Sequence, residues 1–98
     1  MNYRLRDGVA RVSVCGAMLL VPSRAASEYC PGILRVNFTQ RVIWMTLERG
    51  QDLAYAASAL AKFSFKTVEE IQPKVDEALE KLVSYGFLIA EEDDHAQG

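Results

Sequence analysis

Histidine is nearly missing from this chain, since the single copy, His95, lies in the C-terminal run EEDDHAQG. A histidine base or a histidine-built metal site therefore has almost nothing to work with. The two cysteines, Cys15 and Cys30, lack the C-x-x-C spacing of a redox or metal motif and are expected to be free thiols. Excess positive charge is also missing. Eleven Lys and Arg stand against thirteen Asp and Glu, a formal net charge of −2. That balance argues against a broad nucleic-acid or anionic-membrane surface, which needs clustered cations. The longest apolar run, AMLLV at Ala17 to Val21, has strand length, far below the ~20 residues of a membrane helix. The opening residues MNYRLRDG carry charge but no apolar signal-peptide core, so a cytoplasmic protein is expected. No glycine-rich phosphate loop and no paired nucleophile is present, so no enzyme activity and no cofactor is expected.

What is present reads as strands followed by helices. Tyr3–Arg6 precedes Asp7-Gly8, a turn signal, and Val9–Cys15 alternates loosely before Gly16 invites a second turn into Ala17–Val21. Pro22 closes that strand. The connection PSRAASEYCPG follows, with one helical turn expected at Arg24–Glu28, and Ile33–Val36 forms the next strand. The period of two places Leu34, Val36 and Phe38 on one face and Ile33 and Arg35 on the other.

At Asn37 the period changes. Asn37 and Gln40 form an N-x-x-Q capping box, and Phe38, Val42 and Met45 recur at helical spacing beside Ile43, Trp44 and Leu47. Phe38, Val42 and Trp44 are expected in the core. Gly50 ends this helix. Asp52 caps a second helix, LAYAASALAK at Leu53–Lys62, which is apolar nearly all round. Thr67 and Glu70 form another capping box and open a third helix, whose stripe is Val68, Ile71, Val75, Leu79, Leu82 and Val83. Pro73 must kink that helix or mark the start of its regular part. Gly86 stops it, Phe87–Ile89 fold back as a short extended coda, and an acidic disordered tail is expected over 91–98. The whole reads as one α+β, winged-helix-like domain over 1–90, with an N-terminal three-stranded antiparallel sheet followed by three helices.

The segments YRLRDG, AMLLVP, LRVN running into RVIW, and ALEKLVSYGFLI, in that order, resemble the PqqD-like family over about residues 3 to 90. The matching pieces are Val36-Asn37, Ile43-Trp44 and Gly86-Phe87-Leu88. The resemblance implies a RiPP recognition element, a non-catalytic domain serving ribosomally made, post-translationally modified peptides. Such domains hold the leader segment of a precursor peptide and present it to a maturase, often a radical SAM enzyme. The leader adds as an extra strand at the edge of the third strand and lies against the third helix.

Strand addition needs an unpaired row of backbone groups with side-chain pockets beside it. On this sequence the candidate peptide-binding residues are Ile33, Leu34, Arg35 and Val36 of the strand, with Lys74, Val75, Glu77, Lys81 and Leu82 of the third helix. The resemblance implies acidic and apolar leaders, which Arg35, Lys74 and Lys81 could pair with. Val75 and Leu82 equally fit the core stripe, Glu77–Lys81 is a favourable i,i+4 pair, and Arg35 equally serves to protect a sheet edge. Two other readings compete with it. A homodimer or structural module could use the small-residue helix, tested by Ala54→Glu or Ala59→Glu. A helix-turn-helix binding DNA is disfavoured, because VEEIQPKVDEALEKL is net acidic where a reading helix needs cations and amides.

Overall fold

The computed structural model describes residues 2–91, so all but the first residue of the acidic tail expected over 91–98 lies outside the described residues. Strands β1 (Asn2–Leu5), β2 (Val9–Val14), β3 (Ala17–Pro22) and β4 (Leu34–Arg35) precede helices α1 (Phe38–Glu48), α2 (Leu53–Ser64) and α3 (Val68–Ser84), and β5 (Leu88–Glu91) follows. The architecture is α+β and winged-helix-like, with a three-stranded antiparallel sheet in the order β2-β3-β4.

β1 is not part of that sheet. It leaves Asp7-Gly8 behind and pairs antiparallel with β5, Asn2 to Glu91 through Leu5 to Leu88. Glu91 therefore belongs to a strand rather than to the tail. The turn at Gly8 instead holds the start of the long connection, because the Gly8 carbonyl accepts from Ser23 N–H at 2.7 Å. The β2–β3 turn is Cys15-Gly16, both with positive φ, which is the twist that a two-residue hairpin requires.

The helices start where side chains satisfy their free N–H groups. Asn37 Oδ1 accepts from Gln40 N–H at 2.8 Å, and Gln40 Oε1 accepts from Asn37 N–H at 2.9 Å. Thr67 and Glu70 repeat this box at α3, and Asp52 caps α2 through Tyr55 N–H at 2.9 Å. Each such cap stabilises by about 1 kcal/mol. α3 begins at its Thr67 cap and continues as one helix through Pro73.

The core lies between the inner face of the sheet and the three helices. Met18 and Leu20 from β3 meet Val36, Ile43 and Trp44, with Ala56, Ala57, Leu60 and Ala61 from α2 and Ile71, Val75, Ala78, Leu79 and Leu82 from α3. Burying a large apolar side chain in such a core stabilises by roughly 1.5–3 kcal/mol. The small residues of α2 are thus used inside the chain, where they let it approach α1 and α3. Its other face, with Ala54, Tyr55, Ser58 and Lys62, is exposed.

Two residues expected inside are outside. Phe38 is 46% exposed and Val68 is 43% exposed. Both occupy the first turn of a helix, at the margin of the core, so helical spacing alone misplaces them. Phe38 instead stacks against Phe63 of α2, with ring centroids 4.7 Å apart. Val42 is half-buried, and Trp44 is buried with its indole N–H donating to Glu48 at 3.0 Å.

Candidate functional site

β4 has two residues, and both of its ends are fixed. At the leading end, the Gly86 carbonyl accepts from Arg6 Nε and from Cys30 Sγ, the latter at 3.4 Å. The Arg6 guanidinium also lies over the Tyr29 ring, 4.1 Å from its centroid, and Arg6 N–H donates to the Phe87 carbonyl at 3.0 Å. Gly86 has φ of +83°, and a Cβ there would collide with the Tyr29 carbonyl, so only glycine fits. Burial pushes the Cys30 thiol above its ordinary pKa, with Arg6 partly opposing, so it stays protonated and serves as a donor. At the trailing end, the Asn37 capping box turns the chain directly into α1.

Between these anchors the hydrogen-bonding register is decided. Leu19 pairs with Arg35 and Leu20 with Leu34. Val36 N–H donates to the Met18 carbonyl at 3.1 Å. Bonded residues alternate along an antiparallel ladder, so Leu34 and Val36 bond toward β3 while the backbone groups of Ile33 and Arg35 point away from it. β4 is the last strand of its sheet, and the outward groups of Arg35 have no bonding strand among the described residues.

Hollows lie beside both ends of this edge, against α3 and its C-terminal turn. Asn37, Phe38, Thr39 and Gln40 face Lys74, Glu77, Ala78 and Lys81 across one hollow. A second is bounded by Pro31, Gly32, Ile33, Leu34, Tyr85 and Phe87. The first is lined mostly by polar and charged side chains, Lys74 and Lys81 among them, and the second is mainly apolar.

The structure sorts the sequence candidates. Ile33, 63% exposed, and Arg35 lie on the outer face of the edge, Leu34 is half-buried and Val36 is buried. Lys74, Glu77 and Lys81 are exposed on the hollow, with Lys81 Nζ 3.5 Å from Glu77. Val75 and Leu82 are corrected: at 1% and 0% exposure they are core residues and offer a partner no surface. They sit on the inward stripe of the same helix, and the cations one position away mark the outward face. Ala78 takes the place assigned to them beside the hollow. Tyr85 and Pro31 were missed, although the Gly86 turn was the available signal that the chain folds back beside the strand; Phe87, at 1% exposure, bounds that hollow from the core.

Among the described residues, no group of three or more His, Cys, Asp or Glu could hold a metal. None of the described helices is long and apolar enough to cross a membrane.

No family model and no curated protein matches the sequence. The fold does have a solved counterpart, the structure of TbiB1 in complex with the TbiA(beta) leader peptide. It superposes with a TM-score of 0.74 at 14% sequence identity, over 92% of this chain and 99% of that one. The α+β arrangement described above is therefore one that a leader-binding protein also adopts.

Proposed function

We propose that this chain is a peptide-recognition domain of the RiPP recognition element kind. It takes up the leader segment of a ribosomally made precursor peptide by adding it as a strand to the outer edge of β4, beside α3. The observation that carries this reading is the outward-facing backbone of Ile33 and Arg35 on an edge strand fixed at both ends. Such an edge supplies main-chain hydrogen bonds for affinity, while the flanking hollows supply side-chain selectivity. TbiB1, whose fold this chain shares, was solved with a leader peptide bound, and the sequence resembles PqqD-like domains; both support the reading.

The domain holds and presents the peptide without acting on it. The resemblance makes a radical SAM maturase the partner to which it is presented. Exposed Arg35 and Lys74 have no ion-pair partner among the described residues and would attract acidic leader residues.

The test is titration of the isotope-labelled chain with the leader of a short precursor peptide found by inspecting the genes beside its own. Shifts concentrated at Ile33–Asn37 and along Lys74–Lys81 are expected. A saturating titration that leaves the β4 amides unmoved contradicts strand addition. Co-purification of the chain with a neighbouring radical SAM protein tests the partner separately.

A further inference from the structure

The register of β4 carries more than a place for a strand. Across the sheet, Val12 pairs with Leu19 and Leu19 with Arg35, so these three side chains form one row on the outer face. Arg11, Leu20 and Leu34 form the neighbouring row on the opposite face. An added strand must continue both rows, because side chains opposite one another share a face. Its residue opposite Arg35 therefore stands beside an exposed guanidinium that has no carboxylate partner among the described residues. In an antiparallel strand, the next residue along enters the row of Leu34, toward the hollow bounded by Pro31, Leu34, Tyr85 and Phe87. The residue after that lies beside exposed Ile33.

The two ends of the edge differ in chemistry as well. Lys74 and Lys81 flank the end that leads into α1, and Pro31, Tyr85 and Phe87 flank the other. An antiparallel strand meets the cationic end first.

Resting on the peptide reading above, and for a strand that adds antiparallel as β2, β3 and β4 already run, we infer that the groove selects peptides in which an acidic residue is followed directly by two apolar ones. The acid is read by Arg35, the first apolar residue by the hollow beside Pro31, Leu34 and Tyr85, and the second by Ile33. Arg35 is the specificity-determining residue. A peptide with the reverse order would place an apolar residue against the Arg35 guanidinium and its acid beside exposed Ile33, out of reach of that charge, which disfavours it.

The test pans a displayed library of random ten-residue peptides against the full chain and against Arg35→Glu and Arg35→Gln. The expected wild-type selection is Asp or Glu followed by two apolar residues. Arg35→Glu should select Lys or Arg at the first of these positions, and Arg35→Gln should lose the charge preference. Synthetic peptides with the acidic residue should bind Arg35→Glu roughly three- to tenfold more weakly than wild type, the size of a cross-strand charge reversal. Arg35 is exposed, and matching circular dichroism spectra would confirm that the variants fold.

The outcomes separate the inference from the reading beneath it. Selected peptides that protect the Arg35 amide from exchange, with the same sequence preference in all three proteins, overturn the register rule and leave peptide binding standing. Selection of the reversed order, apolar then acidic, also overturns it. A library that yields no peptide protecting the β4 edge overturns the peptide reading and this inference together.

Discussion

Helix α3 is followed in space by two short extended segments that are finished in opposite ways. β5 pairs with β1 along all four of its residues, and the turn leading into it is tied down at Gly86 by contacts from Arg6, Cys30 and Tyr29. β4 pairs with β3 through two residues and leaves its other edge open beside the charged face of α3. One segment closes the fold and the other ends it with unmet hydrogen-bonding capacity. Long exposed edges invite aggregation, and short, charged ones are tolerated. β4 is short and carries Arg35, which is how an open edge can be kept for use by a specific partner.

The sharpest way to break the closed side is Gly86→Val. It forces a β-branched residue into positive φ and drives its Cβ into the Tyr29 carbonyl. A loss of about 3 kcal/mol or more is expected in urea unfolding, a large share of the stability of a domain this size.

Next in size is the contrast between the two faces of α3. Leu82→Ala should cost about 2–5 kcal/mol by leaving a cavity in the core. Neighbouring Lys81→Ala should change stability by less than about 1 kcal/mol, because its ion pair with Glu77 is solvent-exposed. If the reading of the groove holds, the second variant alone weakens leader binding without unfolding the chain.

Proline scanning sharpens the open side. Arg35→Pro removes an N–H that points away from β3, so stability should fall by under about 1 kcal/mol while leader affinity drops roughly tenfold. Leu34→Pro removes one that points toward β3 and should cost stability first. Equal effects of the two prolines on folding would mean that the register is misassigned.

The smallest expected effect is at the start of α3. Hydrogen bonds from Thr67 hold the Glu70 carboxyl below its ordinary pKa, so the ionised form is favoured by folding. The sign follows: this contribution is present above the unfolded-state pKa and is lost as pH falls through the lower folded-state value. Glu70→Gln, which keeps the box geometry, should flatten the acid limb of the stability–pH curve slightly and leave neutral pH nearly unchanged.

Local signals in the sequence account for much of this molecule. The Asn37, Asp52 and Thr67 caps, the turns at Gly16, Gly50 and Gly86, and the strand that runs straight into α1 are all set by neighbours within a few residues. What the sequence does not display is pairing across the whole chain. The Asp7-Gly8 turn signal is real, yet β1 finds its partner more than eighty residues away at β5, and nothing in either strand names the other. Phe38 and Val68 fit their helical stripes and are nevertheless exposed, because periodicity gives a direction and not the extent of the neighbouring element. At the site, charge and pattern pointed to Arg35, Lys74, Glu77 and Lys81. Val75 and Leu82 already lay on the apolar stripe of α3, and their place among the candidates was undone by their burial against the sheet.

Amide exchange at four consecutive positions, followed with and without the leader peptide, tests the central claim most directly. In the free chain, the Leu34 and Val36 amides should be protected by β3, while those of Ile33 and Arg35 exchange freely. Saturating leader peptide should slow Arg35 strongly, and Ile33 with it, and change Leu34 and Val36 little. An Arg35 amide that is already protected in the free chain, or that stays fast in the complex, would contradict the account.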